Sequence, residues 1–386
     1  MFNTRIEMNI YNIHELIPIV QPIDIQVNQR NVMYTNVTLR SYIHTIKREI
    51  DDCLLEWEKN KRKLNPYEYI NTPFDSFTPC VCIYKPISRA FFKLLEIIHS
   101  LPFVFPKVMK SFHLAEGPGG FIEAIQYARK NTQDTYYGMT LLDKHKDVPL
   151  WNKCERSIMK GSSNIIIESG DGTGNLYHVE NLLYVRKHYE HSIDFITADG
   201  GFDYSIDFNN QEESSLHLIF SEICFALMMQ KKGGHFVLKV FDTFSSSTIE
   251  LLYLLTYLYE EVNISKPMTS RPANSEKYVI CTKFKMVHNL EEIKDRICEI
   301  YSHIQSQPYR SILNIELPNS FLNKVREVNS IFGQSQISTI LSVLTYINDE
   351  KKVEKTDQLR KSHINKCVKW CKKNHMEIHE KYYGIY

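Results

Sequence analysis

The stretch VNISKPMTSRPANSEKYVICTKFK, residues 262–285, decides the fold. VNISKP (262–267) and KYVICTKFK (277–285) both read as strands, rich in apolar and β-branched residues. Only about ten residues separate them, with no helix, whereas a parallel crossover needs about a dozen or more. Strand 277–285 is therefore expected to run antiparallel to its neighbour. The loop between them, SRPANSE, holds one acid, Glu276, at the threshold of that strand.

Upstream, strands alternate with helices. KSFHLA (110–115) reads as a buried strand, EGPGG as a turn and FIEAIQYARK as a helix. Strands follow at TYYGMTLL (135–142), NIIIES (164–169) and SIDFITA (192–198). SSLHLIFSEICFALMMQ (214–230) is a helix, GGHFVLKVF (233–241) a strand and TIELLYLLTYLYEE (248–261) a helix. Such alternation predicts an α/β fold with a mostly parallel sheet covered by helices on both faces. Seven strands are expected, one of them antiparallel. That Rossmann-like layout resembles the S-adenosylmethionine-dependent methyltransferases.

The flanks read as helical extensions. Residues 38–61 place apolar residues at helical spacing and end in the basic cluster Lys59, Lys61, Arg62 and Lys63. A Pro- and Asn-rich loop, NPYEYINTPFDSFTPC (65–80), precedes a helix over 87–100. Beyond 286 the chain looks helical and ends in a basic stretch that includes Lys351, Lys352, Lys355, Arg360 and Lys361. The expected division is 1–75, an N-terminal extension; 76–286, the α/β domain; and 287–386, a C-terminal helical extension. The net charge of +1 means an anionic partner must be met by a local patch. Nine scattered cysteines and an N-terminus without a signal-peptide core suggest an intracellular protein with reduced thiols, in cytoplasm or nucleus, or in host cytoplasm or virion for a viral chain. No apolar run approaches the ~20 residues that cross a bilayer, so no membrane partner is expected.

Four segments can carry chemistry at the carboxyl ends of the strands, where open α/β sheets bind ligands. The Gly-rich turn of HLAEGPGGFIEAI (113–125) lets backbone pass close to a ligand, although it is equally the form of a tight strand–helix turn. Asp171 in GDGTGN (170–175) could accept a hydrogen bond from an adenine amino group, or serve an ordinary Asp-Gly turn. Asp199 in ADGGF (198–202) ends the fourth strand. Lys239 interrupts the apolar run FVLKVF, and a lysine in a central strand is rarely buried without a partner or a task. The antiparallel last strand begins on the same rim, so Asp199, Lys239 and Glu276 are expected to converge there.

With these residues in view, the sequence resembles FtsJ-type RNA 2′-O-methyltransferases, and among them the mRNA cap ribose methyltransferases of eukaryotes and large DNA viruses. That family carries a Lys-Asp-Lys-Glu tetrad. Its pattern falls on Lys93 in SRAFFK, Asp199 in ADGGF, Lys239 in GGHFVLKVFD and Glu276 in SRPANSEKY. PGGF (118–121), GMTL (138–141), GDG (170–172) and NPYE (65–68) match as well, and the helical GQSQISTILSVLTYI (333–347) more loosely. The resemblance covers roughly 58–375, most clearly 86–285. By residue type alone, Lys93 would be an ordinary helical surface lysine.

The resemblance implies S-adenosylmethionine as methyl donor, with S-adenosylhomocysteine as product. It implies a cofactor site of Glu116, Gly117, Pro118, Gly119, Gly120, Phe121, Thr140, Asp171 and Asp199. Glu116 departs from the family, where a small residue is common, and Thr140 stands where several relatives have an acid. Lys239 would be the general base and Lys93 would help lower its pKa, since a lysine must fall from about 10.4 toward neutrality to take a 2′-hydroxyl proton. Flanking carboxylates would orient the amines while pushing that pKa up. Methyl transfer proceeds by in-line displacement and needs no metal. The implied partner is the capped 5′ end of mRNA, with other capping or transcription proteins beside it. Arg62, Lys63, Arg89, Asn210, Ser270, Arg271 and Asn274 are its positional contacts. A ribosomal or transfer RNA 2′-O-methyltransferase, or a silent RNA-binding subunit, are the alternatives. His363, Cys367, Cys371 and His375 invite a zinc reading, but on one helix they would span roughly 18 Å, too far for one ion.

Overall fold

The computed structural model describes residues 8–14, 23–28, 30–143, 150–151, 154, 164–201, 209–304, 310–349 and 352–384. Phe202 of ADGGF and Lys351 of the basic tail lie outside these residues. The first elements are β1 (Ile10–Asn12), β2 (Ile25–Asn28), α1 (Val37–Asp51), α2 (Leu54–Asn60) and α3 (Ala90–Ser100). The alternating region follows with β3 (Lys110–Leu114), α4 (Gly120–Arg129), β4 (Thr135–Met139), β5 (Ile165–Glu168), α5 (Val179–Tyr189) and β6 (Ile193–Ala198). It continues with α6 (Gln211–Met229), β7 (Gln230–Val240), α7 (Ser246–Leu258), β8 (Tyr259–Ser265) and β9 (Lys277–Phe284). The chain closes with α8 (Leu290–Ile304), β10 (Ser311–Leu313), α9 (Asn319–Ile347) and α10 (Lys352–Lys373).

Eight strands form the main sheet, in the order β1-β8-β9-β7-β6-β3-β4-β5. β7, β6, β3, β4 and β5 are mutually parallel. β9 lies antiparallel between β7 and β8, as the short 266–276 loop requires. The seven expected strands are all present. The count differs by β1, which pairs antiparallel with β8 and makes two antiparallel strands instead of one. Three residues at a sheet edge carry no alternation to read, because pairing there is through backbone groups. The segment read as one helix over 38–61 is two, since Cys53 leaves helical geometry at φ −136°.

Strand alternation sorts the core. β6 is buried along its whole length, as a strand covered on both faces must be. Phe236, Leu238 and Val240 of β7 face one apolar cluster, with α6, α7 and α8, while Val237 faces the other, with α3, α4 and α10. On β9, Tyr278 and Ile280 share the layer of Val237. Lys239 has the parity of Val237, so the strand period alone turns it toward α3 and α4.

The C-terminal α10 docks on the α3 side through Cys367, Val368, Trp370 and Cys371, with Trp370 edge-on to Phe92 at 5.7 Å. The His/Cys series read above meets separate neighbours there: His363 lies beside Tyr69, Cys367 donates to the Pro66 carbonyl and His375 lies against His99. Among the described residues, no helix is long and apolar enough to cross a membrane.

Candidate active site

Asp199 follows the last residue of β6, Lys239 is next to last in β7, and Glu276 immediately precedes β9. The register pairs Lys239 with Tyr278 and Val240 with Lys277, which carries Glu276 to the same rim. Lys239 Nζ donates to the Asp199 carbonyl at 2.7 Å and lies 3.3 Å from its Oδ1. Tyr278 donates its hydroxyl to that Oδ1 at 2.9 Å. From α3, Lys93 Nζ reaches Glu276 Oε1 at 2.8 Å and Oε2 at 2.9 Å. Ser270 adds a hydroxyl bond to Glu276 Oε1 at 2.7 Å. The four residues thus form two ion pairs on one rim, each side chain 11–16% exposed.

The charges act on one another. Burial opposes ionisation of Glu276, but Lys93, Lys239 and Lys266 together hold it down at about 2. Burial also opposes the charge of Lys239, yet the Asp199, Glu276 and Glu222 carboxylates outweigh it and raise its pKa above the ordinary value. A lowered lysine was expected from the sequence; beside Asp199 and Glu276 the free site has the opposite sign. Burial does lower Lys266, to about 7.

Several functional groups escaped sequence reading. Tyr278 looked like a strand aromatic. Lys266 donates to Asn274 O at 2.7 Å, Asn274 Oδ1 at 2.6 Å and the Glu276 carbonyl at 2.7 Å, bracing the loop from inside. Its one sequence signal is a lysine at the end of a buried strand. Glu222, fully buried on α6, accepts from Gly200 N at 3.1 Å. Its Oε2 has no partner among the described residues, and burial pushes it up to about 8. The double glycine of ADGG now has a reason. A Cβ on Gly200 would lie 2.3 Å from Glu222 Oε1, and one on Gly201 would lie 3.1 Å from Lys239 Nζ.

On the β3–β5 side the expected cofactor residues line the same edge but point differently. Gly117 and Pro118 open the turn, Gly119 takes φ +103°, and Gly120 starts α4. Phe121 is buried in the α3–α4 core, not open to the rim. Glu116 is turned inward: Oε1 accepts from Phe121 N and Ile122 N, and Oε2 from Thr197 and His113. It caps α4 from within, satisfying N–H groups that a helix start leaves free. Thr140 is nearly buried, and its carbonyl packs where a Cβ on Gly174 would lie at 2.1 Å. Asp171 Oδ1 accepts from Thr173 and Asn181, and Oδ2, among the described residues, from His178 alone at 2.7 Å. Despite some burial, those bonds hold its pKa well below the carboxylate range.

The residues named for the substrate divide into two groups. Arg62, Lys63 and Asn210 are exposed. Arg89 and Arg271 instead converge on buried Glu68, at 2.8 and 3.1 Å, and tie the NPYE segment to the SRPANSE loop. Burial works against the Glu68 charge, but the two guanidiniums keep its pKa lowered. Ser270 binds Glu276, and Asn274 receives Lys266. Beside Arg271 and Asn274 opens a cavity of about 240 Å³, also lined by Trp57, Lys61, Asn65 and Gln211.

A family model described as FtsJ-like methyltransferase matches residues 86–284, which include both ion pairs and the Gly-rich turn. The chain belongs to the FtsJ-like methyltransferase family. Among curated proteins, the cap-specific mRNA (nucleoside-2'-O-)-methyltransferase 2 of Drosophila melanogaster is 29% identical, over 68% of this chain and 39% of that protein. The cap-specific mRNA (nucleoside-2'-O-)-methyltransferase 1 of Bos taurus is 30% identical, over 62% of this chain and 30% of that protein. The chain thus spans well under half the length of these relatives. A solved rRNA methylase of Streptococcus thermophilus aligns at a TM-score of 0.31 and 14% identity, over 53% of this chain and 99% of that one.

Proposed function

We propose that this protein is an S-adenosylmethionine-dependent methyltransferase acting on the ribose 2′-hydroxyl of the first transcribed nucleotides of capped mRNA, inside the cell. The observation that carries the reading is the convergence of Lys93, Asp199, Lys239 and Glu276 as two ion pairs on one rim. A scaffold has no need of a charged lysine in a central strand.

The donor fits the neighbouring edge. Asp171 Oδ2 has one partner among the described residues and so keeps acceptor capacity for an adenosine, and the left-handed Gly119 allows a close backbone approach. When bound, S-adenosylmethionine supplies a methyl group on a cationic sulfonium, a charge of the sign that lowers a nearby lysine's pKa. Lys239 takes the 2′-hydroxyl proton. Asp199, through its carbonyl and Oδ1, fixes the direction of the Lys239 amine, and Tyr278 fixes Asp199. Glu276 holds Lys93 beside the ribose position and adds an acceptor for the substrate hydroxyl. Positioning supplies most of the rate. Arg62, Lys63 and Asn210 are exposed for phosphate and base contacts, and the cavity beside Arg271 and Asn274 gives room for a nucleotide portion of the RNA end.

Methyl transfer to short capped and uncapped RNAs of one sequence tests this. Transfer that requires the cap is expected. Equal transfer to uncapped RNA would favour a ribosomal or transfer RNA substrate, and none to any RNA would favour a silent subunit.

A further inference from the structure

Arg89, the residue that caps the start of α3, and Lys93 and Glu96 on α3 itself grip the loop that carries Glu276, Arg89 by donating to the Thr269 carbonyl at 3.5 Å. Arg89, Lys93 and Glu96 are spaced i, i+4 and i+7, so they stand in a row along the helix. Lys93 holds the loop's far end through Glu276. Glu96 holds its near end: Oε1 accepts from Met268 N at 2.8 Å, and Oε2 from Thr269 N at 3.2 Å and Thr269 Oγ1 at 3.1 Å. A fourth donor comes from elsewhere in the chain. Trp370 Nε1, on α10, reaches the same Oε2 at 3.0 Å. Glu96 and Trp370 are 3% and 1% exposed, so water cannot substitute for a lost partner without opening the core. A buried carboxyl with four donors is costly to leave half-satisfied.

We infer that Glu96 is a positioning residue, which sets the start of the 266–276 loop so that Glu276 meets Lys93, and that Trp370 makes this setting depend on the docked C-terminal helix. The inference rests on the proposed methyl transfer for its catalytic consequence, but not for the anchoring itself. It gives the C-terminal extension a task at the rim: through Trp370 the helix completes the set of donors to Glu96 that fixes the loop. Lys266 braces the loop from within and Lys93 closes its far end, so the Met268–Thr269 end is the one whose order is held from α10.

The test uses the full chain with Trp370→Phe, Glu96→Gln and Thr269→Val. The first removes one donor and keeps a ring. The second keeps the shape of the acceptor. The third is isosteric and loses only the hydroxyl donor, which guards against variants that fail to fold. Amide hydrogen exchange at Met268 and Thr269 is read alongside methyl-transfer kinetics. A hydrogen bond to a buried carboxyl is worth enough that Trp370→Phe should speed exchange there about tenfold and lower kcat about tenfold, with KM for the methyl donor within about twofold. Glu96→Gln should do more and Thr269→Val less, in the same order for both readouts. A lower unfolding midpoint with kcat and local exchange unchanged would overturn the inference, because that is what mere core packing produces. Wild-type protein inactive on every RNA would instead overturn the proposed function. The exchange arm would then still decide the anchoring: loss of protection at 268–269 upholds it, and retained protection in Trp370→Phe and Glu96→Gln overturns it.

Discussion

The two halves of the ligand-facing rim use their charged residues in different ways. Along β6, β7 and β9, the charged side chains pair across separate elements and stay partly open: Lys239 with Asp199, Lys93 with Glu276. Along β3 to β5, Glu116 is turned into the protein, while Asp171 stays exposed and is tied down by its own turn. Glu116 caps α4 and meets Thr197 and His113, and three of the donors to Asp171 sit in or beside its own turn. On the proposed function, the first half holds the groups that meet the reacting atom. The second shapes backbone around a ligand that glycines and main-chain groups can touch. A motif therefore marks a place on the sheet more reliably than it marks which atoms face the ligand.

Substitutions can break or sharpen this contrast. The largest expected effect is at Lys239. Its replacement by Met should cut methyl transfer about 10³-fold, the range for a lost general base, while donor binding by calorimetry stays near wild type. Glu276→Gln comes next: it leaves Lys93 and Ser270 without their charged acceptor and should lower kcat by roughly 10–100-fold in single-turnover assays. On the other half, Glu116→Gln should act on the fold instead. Losing buried acceptor capacity should cost about 1–3 kcal/mol in denaturant titrations, with transfer little changed below the unfolding range. A Glu116→Gln enzyme that was stable but could not bind donor would erase the distinction between the halves.

Between them stands Glu222, behind the ADGG turn, which offers the smallest and most specific test. It is neutral below about pH 8 and ionises above it. Its negative charge then adds to those holding the proton on Lys239, so the base becomes harder to form as pH rises. Glu222→Gln should match wild type near pH 7 and exceed it by about threefold near pH 9. Identical pH profiles would mean that the two groups are not coupled in the working enzyme.

Much of this was legible before the structure. The short loop 268–276 fixed the antiparallel strand, and that strand's direction carried Glu276 to the rim; both follow from chain length and pairing geometry. β1 was not legible, since its three residues owe their place to the open edge of β8. The inward turn of Glu116 was hidden because its partners Thr197 and His113 belong to side-by-side strands, a relation that exists only once β3 and β6 pair. Tyr278 and Glu96 were not singled out, because spacing reveals which face a side chain takes but not what waits there. The raised pKa of Lys239 was missed for a related reason. Asp199 and Glu276 were in view, but Glu222 lies on a helix whose sequence reads as plain apolar packing.

The central claim is that the Lys239 rim methylates ribose next to a cap. Its most direct test is to label a short capped RNA with S-adenosylmethionine, digest it to nucleosides and identify the methylated product for wild type and Lys239→Met. The account predicts a 2′-O-methylribose at a nucleotide adjoining the cap in the wild type and its loss in the variant. A methylated base, or ribose methylation that persists without the Lys239 amine, would contradict it.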